Sequence, residues 1–259
     1  MGIGHRFIRT QRVMSRNFDR LLSSSFRIDG NRDFRENFVP RYLEAGSLVL
    51  DVGGGKHPFI NAETKAALDM SVIGVDIDIG ELMAAPNGAY DETVCCDVTT
   101  LCLLDVADLV VCQAVLEHVR NTQEAIASIA RALRPGGRLV LFTPSRNAVF
   151  ARLNLVLPET LKKSILFRIF PETRLGHGFV AFYDRCTPRD IAALAKGEGL
   201  VLLEKRTYYL SRYFAFFFPL YLVWRIWIVI FRAIASEQAA ETFSMAFEKP
   251  RIATSNQPV

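Results

Sequence analysis

Short β-rich runs alternate with helical stretches from residue 47 to 143, a buried strand ends in a glycine turn, and acids close successive strands. These three observations predict an α/β chain with a doubly wound, mostly parallel sheet of seven strands and helices on both faces. The first five strands are read at 47–52, 72–76, 93–96, 108–112 and 138–143, and the last two at 200–209 and 242–248. Helices are read at 60–69, 79–85 and 120–133; Ile126, Ile129, Ala130 and Leu133 give the last of these one apolar face. Arg134-Pro-Gly-Gly137 stops that helix and leads into the fifth strand. Thr187-Pro-Arg-Asp190 opens a further helix, with proline in the first turn where its missing N–H costs nothing. Between them, 144–187 is a long connection with a short helix expected at 159–169.

Composition bounds the rest. The chain has 259 residues, enough for one extended α/β domain, and its mean hydropathy of +0.18 is high for a soluble enzyme. Charge is unevenly spread: +5 in residues 1–41, −3 in 42–207, +3 in 208–235 and −1 in 236–259, which sum to the net +4. The division expected is therefore a basic helical extension at 1–41, a cofactor-binding core at 42–209 with a substrate-side insertion at 144–187, a hydrophobic insertion at 210–240, and the last strand with a polar tail at 241–259. The five cysteines, four of them in or beside apolar runs, include no C-x-x-C pair; buried thiols, a reducing compartment and no metal site are expected. Met1–Leu22 lacks the apolar core of a secretory signal.

The stretch Leu48-Val-Leu-Asp-Val-Gly-Gly-Gly-Lys-His-Pro58 carries most of the functional information. A glycine turn between strand and helix lets backbone N–H groups approach a ligand closely. Pro58 stands where a dinucleotide fingerprint needs its third glycine, and no Gly-Lys-Ser/Thr opens the helix as a P-loop would. Asp51 ends the first strand, Asp76 ends the second 21 residues after Gly55, and Asp97 follows the third. Each acid alone could cap a turn. Three in order at one sheet edge form a row beside the glycine turn, with the second placed where a ribose diol could be bound.

Together these residues resemble the class I S-adenosylmethionine-dependent methyltransferases of the methyltransferase type 11 kind, over roughly residues 40–145. The resemblance implies a Rossmann-like fold, methyl transfer, and S-adenosyl-L-methionine as cofactor. It implies cofactor contacts from Asp51, Gly53, Gly54 and Gly55 in the first motif, and from Asp76 and Ile77 in the second. Asp97 and Val98 would lie beside the adenine and Gln113 at the end of the fourth strand. His57 replaces the family's common third glycine.

Methyl transfer to a hydroxyl gains from a base, and His118 has the intrinsic pKa for it, with Glu117 beside it. The pair could equally cap a helix or line the cofactor pocket. His57, His177, Tyr183 and Asp184 are weaker candidates in connections at the same edge. Cys112-Gln-Ala-Val115 replaces the Asn/Asp-Pro-Pro-Tyr/Phe of nucleobase amino-methyltransferases, and no aromatic-interleaved basic patch is present, so nucleic acid is not expected.

Residues 213–235 hold thirteen Leu, Ile, Phe or Val, worth about −4 to −8 kcal/mol of insertion against about +3 for a central Arg. If 242–248 returns to the sheet, one span would strand it across the bilayer, and two spans do not fit. An interfacial helix or hairpin is expected instead, with Tyr213, Tyr221, Trp224 and Trp227 at headgroup depth and the arginines toward anionic lipid, the alternative being a buried helical layer or dimer surface. Pro219 interrupts the run. Arg6, Arg9, Arg12, Arg16 and Arg20 recur every three or four residues, as in a basic membrane-surface helix, a lid helix or a mitochondrial transit peptide. The function expected is O-methylation of a small-molecule, apolar, lipid-linked or glycan acceptor by a cytoplasmic protein peripheral to the inner face of a membrane. The alternatives are a soluble small-molecule methyltransferase whose insertion forms a homodimer interface, and a non-catalytic cofactor-binding assembly protein.

Overall fold

The computed structural model describes residues 3–158, 180–211 and 213–251. Seven strands form one sheet in the order β3-β2-β1-β4-β5-β7-β6. They are β1 (Leu48–Val52), β2 (Ser71–Asp76), β3 (Glu92–Cys95), β4 (Ala107–Gln113), β5 (Leu133–Pro144), β6 (Val201–Tyr208) and β7 (Thr242–Glu248). Neighbours from β3 through β5 are parallel, and β7 runs antiparallel to both β5 and β6. The doubly wound, mostly parallel seven-stranded sheet expected from the sequence is what the chain forms. Strand order reverses between β1 and β4, where sheets of this kind open a crevice beyond their carboxyl ends.

Local chemistry accounts for the helices: α1 (Ile3–Asp19), α2 (Gly30–Asp33), α3 (Ala62–Ala67), α4 (Ile79–Met83), α5 (Thr122–Ala132), α6 (Val149–Val156), α7 (Pro188–Gly197) and α8 (Phe218–Ala235). Side-chain caps start several of them. Asn61 accepts from the Thr64 N–H, Asn121 from that of Glu124, and Thr187 from that of Asp190. Ile126, Ile129 and Ala130 bury one face of α5 against β1, β4 and β5. Leu133, expected on that helix, already belongs to β5 and pairs with Ala107. The ladder then skips to Arg138 opposite Leu109, so Arg134–Gly137 bulge out of the strand, with Gly136 at φ +87°. The helix expected at 159–169 and His177 lie outside the described residues.

Among its described residues the hydrophobic insertion carries one long helix, α8, followed by a short 3-10 helix at Ser236–Ala239. Pro219 does not interrupt it but sits in the first turn of α8, where proline is tolerated. Arg225 and Arg232 are engaged within the protein instead of standing free toward lipid, and Tyr221 and Trp224, expected at headgroup depth, are buried. Arg225 is fully buried, 2.9 Å from the Asp19 carboxylate, and donates to the carbonyls of Tyr209 (2.7 Å) and Phe26 (2.8 Å). Tyr221 donates to Asp19 (2.6 Å), and the Trp224 indole points at Glu241 (3.4 Å). Arg232 donates to Ser25 and lies over the rings of Phe26 and Tyr209. A guanidinium on an apolar helix is satisfied most cheaply by carbonyls and a carboxylate already within reach. These contacts clamp α1 and α8 together. Two of the cysteines also differ from expectation, since Cys95 and Cys102 are exposed at strand and turn ends.

Candidate active site

The carboxyl ends of β1, β2 and β4 frame a two-lobed cleft. One lobe, about 360 Å³, runs from Gly53 past Asp76, Ile77, Asp97 and Val98 to His118, and Phe182 closes its far side. The other, about 280 Å³, is more polar and lies over the glycine turn among Arg35, Asp51, Gly54, His57 and Gln113. Val52, Gly53, Asp76 and Ala114 border both lobes, so the two form one continuous trough.

The turn is shaped by crowding. Gly53 has φ +74°, and a Cβ there would collide with the Val115 side chain. At Gly54 a Cβ would strike the Asp51 carboxylate and the Tyr90 hydroxyl. Asp51 is buried, accepting from the Phe59 N–H at 2.7 Å, with the Tyr90 hydroxyl at 3.2 Å. Burial pushes its pKa up to about 6, although these hydrogen bonds and the nearby Arg35 guanidinium pull the other way. Asp76 is half-buried, with its carboxyl raised chiefly by burial, and it accepts from the Asp78 N–H at 2.9 Å. Asp97 is exposed and holds its own turn through the Thr99 N–H and hydroxyl, both at 2.8 Å. Ile77 is exposed beside it, and Val98 is buried on the floor. The three acids thus stand along one trough.

Gln113 ends β4 and accepts from Arg35 at 2.9 Å, while its amide donates to Asn31. This contact brings the segment after α1 across the polar lobe. Ala114 follows in the left-handed region at φ +56°, which turns the chain away from the cleft floor. Leu116–His118 then form a single 3-10 turn. Glu117 is buried, accepts from the Thr143 hydroxyl at 3.1 Å, and has its carboxyl pushed up to about 7 by burial. His118 is half-buried on the cleft wall. Its Nδ1 lies 3.1 Å from the Val180 carbonyl, and its Nε2 lies 3.8 Å from the Glu117 carboxylate.

The weaker candidates separate. His57 lines the polar lobe. Asp184 accepts from the Thr122 N–H at 2.9 Å and so caps α5, while Tyr183 is buried in the core. Arg35, Phe59, Tyr90, Arg120 and Phe182 were not legible as site residues. Arg35 reaches Gln113 across 78 positions of sequence, and Arg120 lies over the Phe182 ring at 4.4 Å. Contacts at such separations leave no spacing signal.

A glycine turn and a row of carboxylates at the switch point of a doubly wound sheet define a nucleoside-cofactor protein. Comparison with known proteins is specific about which. Residues 50–141 match the model of the methyltransferase domain family. The chain is 31% identical over 163 residues to the ubiquinone biosynthesis O-methyltransferase of Thiobacillus denitrificans, covering 60% of this chain and 65% of that one. It is 31% identical over 176 residues to the protein of the same name from Chromobacterium violaceum, covering 65% and 71%. The chain therefore spans a little under two thirds of the first of these relatives. Among solved structures, the geranyl diphosphate C-methyltransferase of Streptomyces coelicolor shares the fold at TM-score 0.55 and 11% identity, covering 85% of this chain and 79% of that one. The chain belongs to the class I S-adenosylmethionine-dependent methyltransferase superfamily, and its cofactor is S-adenosylmethionine.

Proposed function

We propose that the chain methylates a hydroxyl of an apolar, lipid-linked or glycan acceptor offered at a membrane surface, acting from the cytoplasmic side as a peripheral protein. The observation that carries the hydroxyl assignment is the placement of His118 on the wall of the cofactor trough, backed by a buried carboxylate. The relatives' printed name, ubiquinone biosynthesis O-methyltransferase, supports both oxygen and an apolar acceptor. The division into a core at 42–209, flanked by a basic extension and a hydrophobic insertion, belongs to the same reading.

S-adenosylmethionine supplies an electrophilic methyl group on a sulfonium, so the protein's main task is alignment of acceptor and methyl. Gly53, Gly54 and Gly55 bring backbone close to the amino-acid end. Asp51 would face its ammonium, and Arg35, held by Gln113, its carboxylate. Asp76 would take the ribose hydroxyls, Ile77 and Val98 would flank the base, and Asp97 would meet its amino group. His118 donates through Nδ1 to the Val180 carbonyl, a contact that orients the ring on the trough wall to take a proton from the hydroxyl. Glu117, ionising near pH 7, steadies the imidazolium that results.

Cofactor affinity then depends on pH. Asp51 must be ionised to face an ammonium, and before binding it titrates at about 6. Affinity is expected to be flat above about pH 7 and to fall roughly tenfold per unit below about pH 6. Calorimetry across that range checks this, and Asp51→Asn should bind weakly with the dependence removed. Acceptor chemistry is tested by following S-adenosylhomocysteine formation with long-chain phenols against long-chain primary amines. Product formed only with phenols supports the reading; product only with amines, or none with either, defeats it.

A further inference from the structure

Helix α8 has one face spoken for and one that is not. Tyr221, Trp224, Arg225 and Ile228 are buried against α1 and the core. The opposite face shows Val223 at 66%, Ile226 at 50%, Trp227 at 48%, Ile230 at 48% and Ile234 at 79% exposure, an apolar strip along the helix from Val223 to Ile234. It continues into an apolar groove of about 400 Å³ between α6 and α8, walled by Leu153, Val156, Trp227 and Phe231 with Arg152 at its rim. Packed against α8 is α1, on whose surface Arg6, Arg9, Arg12, Arg16 and Arg20 are all exposed. Asp19 is the first acid of the chain, and it is engaged by Arg225 and Tyr221.

By length and composition α8 could cross a membrane. Topology forbids it. Tyr208 ends β6 directly opposite Thr242, which begins β7, so the excursion carrying α8 leaves and re-enters the sheet at one place. Arg225 further pins the middle of the helix to Tyr209 and Phe26. That place is also the carboxyl edge of β5, where Pro144 pairs with Thr242, and hence the edge that bears the cofactor trough.

We infer that the outer face of α8, with the arginines of α1 beside it, is a monotopic docking surface for an anionic lipid bilayer. Charge selects this occupant. A second copy using the same strip would bring two arginine-bearing helices together with no exposed acid on either to match them, whereas anionic headgroups complement them and the strip enters the acyl boundary. With α8 in the interface, the carboxyl edge of the sheet faces the bilayer.

The inference rests on the membrane-surface part of the proposed function, but its test needs no acceptor. The full chain is sedimented with vesicles of phosphatidylcholine alone and of phosphatidylcholine with about a third phosphatidylglycerol. Binding to the anionic vesicles at least tenfold tighter than to the neutral ones is expected, weakening as salt rises, with a blue shift of Trp227 emission. Val223→Glu with Ile230→Glu, and separately Arg9→Gln with Arg12→Gln and Arg16→Gln, should each lose at least tenfold while cofactor binding and thermal unfolding stay unchanged. Equal binding by either variant set overturns the proposal. So does a dimer in ultracentrifugation that Val223→Glu with Ile230→Glu dissociates, found with no vesicle binding. A chain that methylates a hydroxyl yet ignores vesicles defeats the docking surface and leaves the hydroxyl assignment standing. One that binds vesicles but forms no methylated product defeats only the proposed function.

Discussion

Gly53→Arg is expected to abolish S-adenosylmethionine binding, raising Kd by at least about 100-fold, which corresponds to roughly 2.7 kcal/mol. Two effects act together. Gly53 sits at φ +74°, where a side chain costs about 1–2 kcal/mol by itself. Its Cβ would collide with Val115, and the rest of the arginine would have to enter the stretch of trough common to both lobes. Gly53→Ala separates the contributions, because it carries the strain and the Val115 collision without filling the trough; an intermediate loss is expected. Calorimetry gives the affinities, and a thermal melt shows whether the fold survives. Unchanged binding by a folded Gly53→Arg protein would mean that the cofactor lies elsewhere.

His118→Ala is expected to lower kcat by about 10²- to 10⁴-fold, the usual worth of a positioned base, while the Kd for S-adenosylmethionine stays within a few fold. The side chain lines the wall of the trough but ends in contact with the Val180 carbonyl and Glu117, away from the glycine turn and the carboxylate row. Loss of the imidazole therefore removes proton transfer and leaves the main cofactor contacts. Glu117→Gln should weaken proton transfer without erasing it, because the glutamate acts on the imidazole and not on the acceptor. Unchanged turnover in His118→Ala would leave alignment as the whole of the catalysis.

Most of the fold and the cofactor-facing half of the site were legible because their signals are local. Val-Leu-Asp-Val-Gly-Gly-Gly55 is a strand, a turn and a ligand-facing backbone within a few residues, and Asp76 and Asp97 each mark a strand end. Thr242–Glu248 was readable as a strand for the same reason, and its bounds agree with the sequence reading. What stayed hidden depends on partners far along the chain. Nothing near Arg35 announces that it will reach Gln113, and nothing near Arg225 announces Asp19 at the other end of the molecule. The arginines of 213–235 were read as charges seeking lipid because an apolar run with two arginines looks the same whether headgroups or carbonyls satisfy them. Only packing distinguishes the two. It also divided the aromatic residues, turning Tyr221 and Trp224 inward and Trp227 outward.

The account stands or falls on where the methyl group goes. The full chain should be incubated with a membrane lipid extract and S-adenosylmethionine carrying a ¹³C-labelled methyl, and the organic phase examined by magnetic resonance and mass spectrometry. A labelled methyl ether in an apolar molecule is expected, formed with one equivalent of S-adenosylhomocysteine and absent with His118→Ala. Label found only on nitrogen or carbon, or S-adenosylmethionine bound but never consumed in the presence of the extract, would contradict it.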